Sequence, residues 1–380
     1  MFLFPTSTSE IFNLINDLEC SKGSGADNIS AELLKRNIHI FKYLLSEIFN
    51  QVISSGIYPD CLKLAKVVPV FKGGDKLDIN NYRPISVLSV FDKVLEKVLN
   101  NRINNFLISH NFFYRFQYGF RSGVGTEIAL IETIDMINQT FNESSYMGAL
   151  FLDLRKAFDC IDHEILLGKL FQYGFRGPSF DLLKSYLTNR VQYVTIDGKS
   201  SNIQRITTGV PQGSVLGPTL FLIFINDIHK LNLNGRIRLF ADDTTLFYNT
   251  SNIDDIPSMV QSDLTILQEY FNSNMLSINL SKTKFMIFKS AQKSVNVDIN
   301  ISICNVKIEI VESYKYLGII LDSNLTWQHH IDYIRKKVAP LVGFLRKLAY
   351  YVPSAILRNI YFAFIPFYFY VRNRYVWIIS

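Results

Sequence analysis

Arg238-Leu239-Phe240-Ala241 and Thr244-Thr245-Leu246-Phe247-Tyr248 are two short strand-like runs separated by one acidic pair, Asp242-Asp243. That is hairpin spacing. Further towards the N-terminus, Ala149-Leu150-Phe151-Leu152-Asp153-Leu154 is an apolar strand carrying a single acid, and a helical pattern follows it. Burying an unpaired carboxylate costs several kcal/mol, so each acid needs a partner cation or a place at an element's end. If the first strand lies beside the hairpin, Asp153 converges with Asp242 and Asp243 at one edge of a sheet. The natural partner is then a pair of divalent metals, which at ~3.5–4 Å separation can activate an attacking oxygen and stabilise a leaving one. Hard oxygen ligands with open positions suit Mg²⁺. Taken alone, Asp-Asp is equally a common turn pair.

Outward from these acids the chain alternates between strand and helix. Lys66 to Lys72 is strand-like and ends at Gly73-Gly74-Asp75, and Ile85 to Phe106 has helical spacing. Helices are expected from Ser214 to Ile228 and from Ile256 to Met275, with short strands at Phe285 to Phe288, Ile299 to Ile303 and Tyr316 to Leu321. The first fifty residues read as helices flanking the turn Ser21 to Asp27. The tail from Ile331 reads as a basic helix whose apolar face is Ile331, Ile334, Val338, Leu341 and Leu345.

Composition narrows the classes. With 48% hydrophobic and 19% charged residues, 30 Phe and 20 Tyr, the 380-residue chain is not disordered and should build more than one packed subdomain. Its longest apolar run, Ile360 to Val371, is interrupted by Pro366 and is too short to span a membrane. No basic residue precedes the short apolar start, which excludes a signal peptide. Cys20, Cys61, Cys160 and Cys304 are too scattered for a zinc or redox motif and read as reduced, mostly buried thiols. His329-His330 reads as a surface turn, and His163 as a capping or packing residue. From Gln328 to Ser380 there are eight Lys or Arg against one acid. That excess fits either a phosphate-backbone grip or a solvated helix face.

An ordered set of motifs decides between the open readings. Lys22-Gly23-Ser24-Gly25-Ala26-Asp27, Lys72, Asn81-Tyr82-Arg83-Pro84-Ile85-Ser86, Gln117-Tyr118-Gly119-Phe120-Arg121, Phe151-Leu152-Asp153 with Lys156-Ala157-Phe158-Asp159, Gly209 to Pro218, Phe240-Ala241-Asp242-Asp243, Leu280 to Lys284 and Tyr316-Leu317-Gly318 follow one another along the chain. In that order they resemble the reverse transcriptases of non-LTR (LINE-type) retrotransposons, jockey and CR1-like branch. The resemblance implies an α+β right-hand polymerase: residues 1–52 extend the fingers, 53–321 form the catalytic fingers and palm on an antiparallel sheet, and 322–380 form a truncated helical thumb. It also implies RNA-directed DNA synthesis from a primer 3′-OH, with an RNA template, a DNA primer, dNTPs and two Mg²⁺ ions, Mn²⁺ being a possible substitute. The cellular location it implies is intracellular, in nucleus and cytoplasm, without membrane attachment. No stretch is left over for an endonuclease or an RNase H. The rival reading is an inactive or domesticated fragment that binds RNA without polymerising.

Residue roles follow from the resemblance. Asp153, Asp242 and Asp243 are the implied metal-binding triad, and the carbonyl of Leu154 adds a ligand. Phe158 would lie under the nucleotide sugar and exclude a 2′-OH, while Gln212 would approach nucleotide and template. Lys72 and Arg83 would hold the triphosphate, and Lys282, with Lys284 as its near neighbour, would give a proton to leaving pyrophosphate. Arg335, Lys336 and Lys337 would grip the nucleic-acid backbone. Asp159 and Asp162 read as structural, capping residues.

Overall fold

The fold was read from a computed structural model, which describes residues 1–21, 23–293 and 299–366. Lys22 of the first motif, and Arg372 and Arg374 of the basic tail, lie outside the described residues. The chain is a mixed α/β structure of two compact units whose segments interleave: Met1–Arg115, Leu154–Leu231 and Tyr270–Ser277 in the first, Phe116–Asp153, Asn232–Glu269 and Ile278–Ser380 in the second. The chain passes from the second unit to the first between Asp153 and Leu154.

The second unit is organised by a five-stranded sheet in the order Glu309–Ile310, Lys284–Phe288, Tyr146–Leu152, Asp243–Thr250, Arg236–Phe240. The Glu309–Ile310 pairing is parallel and the others are antiparallel. The central strand Tyr146–Leu152 is buried at nearly every position, which is why it reads as an unbroken apolar run rather than an alternating one. Gly148 is required there, since a Cβ would come within 2.8 Å of the Phe285 ring. Ala149, Phe151, Phe247, Met286, Tyr316 and Leu321 join Ile134 and Ile137 of the helix Thr126–Asn142 in one core.

The first unit holds a sheet in which Tyr82–Val87 pairs antiparallel with Leu64–Phe71, which pairs parallel with Val191–Ile196. The helix Leu216–Ile225 is apolar on all sides, and nine of its residues are buried. The helix Val90–Ser109 turns Val94, Leu95, Val98, Leu99 and Ile103 inward.

Several expectations change. The helix expected from Ile85 starts at Val90, because Pro84 fixes an extended backbone and Ile85 to Val87 complete a strand opposite Lys66 to Val68. Tyr316 to Leu321 is not one strand. It is a hairpin of Ser313–Tyr316 and Ile319–Asp322, turned by Leu317 and Gly318 at positive φ. The helix expected to reach Ile228 ends at Ile225 and continues as a 3₁₀ turn, Asn226–Lys230. Cys20, Cys61 and Cys304 are exposed and Cys160 is partly so, none of them buried as expected; sequence spacing bears on pairing and not on burial.

His330 lies in the first turn of the helix Gln328–Leu348, fully buried, where its Nδ1 accepts from Ile320 N at 3.3 Å. It is therefore not part of a surface turn. On the same helix Ile334 is buried but Ile331 is exposed, so the apolar face is narrower than its periodicity suggests. Among the described residues, no helix is long and apolar enough to cross a membrane.

Candidate active site

The acids gather at one end of the second unit's sheet. Leu152 pairs with Thr244 and Phe240 with Asp243, which leaves Ala241 and Asp242 as the two-residue turn of the hairpin. Asp153 does not sit inside its strand. It follows the last strand residue, Leu152, at an end where a carboxylate can meet solvent or an ion. Partial withdrawal from water, and then the negative charges of Asp242 and Asp153, push the Asp243 carboxyl up to about 6, while Lys282 draws it down.

The turn that carries Asp242 is tightly braced. Ala241 has φ +55°, in the left-handed region, and its N–H donates to Gln117 Oε1 at 3.0 Å. Leu239 exchanges main-chain hydrogen bonds with both Phe116 and Tyr118 at 2.9 Å. Gly119 lies so close that an added Cβ would fall 2.3 Å from Ala241 N. The run Gln117 to Gly119 thus acts as a clamp on the acidic turn. Behind it, the Tyr118 hydroxyl donates to Glu132, and Arg238 pairs with Glu132 at 3.1 Å.

Two neighbours complete this edge. Lys282 Nζ lies 3.3 Å from Asp153 Oδ2, and Asn279 Nδ2 donates to the same oxygen at 2.8 Å. Lys284 points elsewhere: its Nζ donates to Ser281 O at 2.9 Å and to Glu309 Oε2 at 2.5 Å, which leaves Lys282 as the lysine beside the acids. The Tyr314 ring stacks on Phe151 at 4.0 Å between centroids, and burial followed by the charges of Asp243 and Asp153 pushes its hydroxyl up to about 12. Tyr314 and Asn279 both escaped the sequence reading, although each stands within three residues of a quoted motif.

The first unit carries the other candidates. Gly209 and Gly213 have φ +81° and +116°, and a Cβ would fall 2.6 Å from Asp159 O and 2.7 Å from Ser86 O respectively, so this loop needs glycine at both positions. Between them Gln212 O accepts from Ser86 N at 2.7 Å, and Gln212 Nε2 donates to both Asp159 oxygens at 3.0 and 3.1 Å. Asp159 is therefore the partner of Gln212 and not a cap. Burial raises its pKa, while Gln212, Lys156 and Lys72 draw it down. Asp162 does cap, accepting from Ile165 N at 2.9 Å, and His163 Nε2 lies 2.7 Å from Gly209 O.

Phe158 is half-buried against the fully buried Phe221, with centroids 4.8 Å apart. Leu154 is buried. Lys72 and Arg83 are both exposed; Arg83 pairs in register with Val70, two residues before Lys72. Glu96, missed in the sequence, accepts from Val215 N just ahead of the helix Leu216–Ile225 and from the Tyr186 hydroxyl at 2.7 Å, which anchors the loop of Gln212 from below. Arg335, Lys336 and Lys337 are exposed on the helix Gln328–Leu348 of the second unit.

Among the described residues, no group of three or more His, Cys, Asp or Glu side chains stands in an arrangement that could hold a metal ion as it is. What fits a divalent cation at the acid edge is the donor chemistry: three carboxylates at one sheet end, with oxygen ligands only.

Comparison with known proteins bears on the whole arrangement. Residues 72–321 match the family model described as Reverse transcriptase (RNA-dependent DNA polymerase). The chain is 33% identical over 340 residues to the RNA-directed DNA polymerase from mobile element jockey of Drosophila funebris, covering 86% of this chain and 36% of that protein. It is 30% identical over 342 residues to the jockey protein of Drosophila melanogaster, covering 88% and 37%. It is also 31% identical over 336 residues to the probable RNA-directed DNA polymerase from transposon BS of Drosophila melanogaster, covering 86% and 37%. The chain thus spans a little over a third of the length of these curated relatives.

Proposed function

This chain belongs to the reverse transcriptase (RNA-dependent DNA polymerase) family, and from that premise we propose that it is the polymerase of a non-LTR retrotransposon, extending a primer 3′-OH with dNTPs on an RNA template. The observation that carries the reading is the strand register that brings Asp153, Asp242 and Asp243 to one sheet end. In this reading the chain is a right-hand polymerase, with residues 1–52 extending the fingers, 53–321 forming fingers and palm, and 322–380 contributing to a helical thumb.

Asp153, Asp242 and Asp243 would hold two Mg²⁺ ions, with the carbonyl of Leu154 as a further ligand. When bound, such ions supply charge neutralisation to the attacking and leaving oxygens. The other roles belong to the chain's own side chains. Lys72 and Arg83 bind triphosphate oxygens, and the exposure of both, Arg83 on the strand Tyr82–Val87 and Lys72 just past the end of its partner strand Leu64–Phe71, supports that assignment. Phe158, fixed by Phe221, rejects a 2′-OH. Gln212 orients nucleotide and template, its amide aimed by Asp159. Lys282 Nζ hands a proton to the departing pyrophosphate. Arg335, Lys336 and Lys337 neutralise backbone phosphates without reading bases.

The test is primer extension by the purified chain on an RNA template with dNTPs and Mg²⁺. Extension to the template end, abolished by EDTA and restored by excess Mg²⁺ or by Mn²⁺, is the expected result. RNA binding without any extension would favour an inactive, RNA-binding copy instead.

A further inference from the structure

Asp153 has a soft torsion at its carboxylate, because the rotation of an sp² group about its last bond is broad. Something must choose which oxygen faces a ligand. Both side-chain contacts described for this carboxylate, Asn279 Nδ2 at 2.8 Å and Lys282 Nζ at 3.3 Å, fall on Oδ2. Asn279 also donates its main-chain N–H to Asp153 O at 2.8 Å, so one residue holds Asp153 at two points.

Asn279 is itself locked. Ser281 Oγ donates to Asn279 Oδ1 at 2.8 Å, so Oδ1 is the acceptor and Nδ2 must be the donor towards Asp153. The Asn279 carbonyl accepts from Lys282 N at 3.1 Å, from Thr283 N at 3.0 Å and from Thr283 Oγ1 at 3.0 Å. Thr283 is fully buried, which ties the turn to the interior. Lys282 could not do this work alone, since an ammonium on four carbons follows its partner rather than orienting it. We propose that Asn279 is a positioning residue for the candidate metal ligand Asp153: it fixes the carboxylate through Oδ2 and so presents Oδ1 to a divalent cation.

The inference rests on the metal-binding reading of Asp153, and the experiment separates the two. Binding of Mn²⁺ alone to the full chain would be measured from the free-ion electron paramagnetic resonance signal, for the wild type, Asp153→Asn and Asn279→Ala. Melting would be followed in parallel in EDTA. Asn279→Ala should weaken Mn²⁺ binding on the order of 10- to 100-fold, as loss of a partner that orients a ligand does, while it still melts cooperatively. A merely structural asparagine would lower the melting temperature and leave Mn²⁺ affinity in the folded protein unchanged, which overturns the inference. Where Asn279→Ala does not fold, Asn279→Ser decides by the same comparison. Should the wild type and Asp153→Asn bind Mn²⁺ equally, the metal-binding reading fails and the inference falls with it.

Discussion

Leu152 and Thr244 face each other in antiparallel register, so the residue after one, Asp153, and the residue before the other, Asp243, emerge at the same end of the sheet. No side-chain interaction is needed to bring the acids near one another. Ladder hydrogen bonds and a two-residue turn do so, and a slip of one residue in register would move Thr244 and its neighbours to the opposite face.

The clamp on that turn makes a prediction about Gly119. An alanine there would drive its Cβ to within 2.3 Å of a backbone nitrogen that cannot move without displacing Ala241 and Asp242. Gly119→Ala should cost about 1–3 kcal/mol of stability, the usual range for overpacking, and should lower extension further than its melting temperature alone explains. Chemical denaturation and extension assays on the same preparation check this. Unchanged stability would mean that the clamp is loose.

The sugar-selection role proposed for Phe158 leads to a second expectation. Its ring packs on Phe221, so shortening it would open space where the proposal puts the nucleotide sugar. Phe158→Val should raise the kcat/KM for rNTP relative to dNTP by at least about tenfold. A folded variant with the wild-type ratio would return Phe158 to a packing role.

A third expectation concerns pH and a buried cluster in the first unit. Asp92, Glu96 and Arg190 are all fully buried, and the Tyr58 hydroxyl donates to Asp92. Burial first, and then the charge of Glu96, push the Asp92 carboxyl from 3.8 up to about 8, against the pull of Arg190. Between those values the folded chain holds a proton that the unfolded chain releases. The stabilisation is therefore complete below about pH 4 and is lost as pH rises towards 8. Asp92→Asn, which stays neutral throughout, should show a flatter fall in urea midpoint between pH 5 and pH 8 than the wild type. Parallel curves for the two would contradict the assignment.

What the sequence could and could not disclose follows from the range of each interaction. The acidic hairpin was legible because strand alternation and a turn pair are local, and the strand before Asp153 because its apolar run is continuous. The start of the helix after Pro84 was misplaced because apolar spacing alone cannot separate the end of a strand from the start of a helix. Asn279 lies beside a quoted motif, yet its meaning depends on Asp153, 126 residues away. The same holds for Glu96, whose partner Val215 is 119 residues distant. The buried His330 escaped because its partner, the main chain of Ile320, leaves no mark on residue type.

The central claim is that the acids at this sheet end perform metal-dependent nucleotide addition, and single-nucleotide incorporation by Asp242→Ala tests it most directly. Rates would be measured under single-turnover conditions at saturating Mg²⁺, with primer-template affinity measured separately. The account predicts a loss on the order of 10²- to 10³-fold or more in the incorporation rate, with primer-template affinity within a few-fold of wild type. Incorporation by Asp242→Ala at the wild-type rate would contradict it.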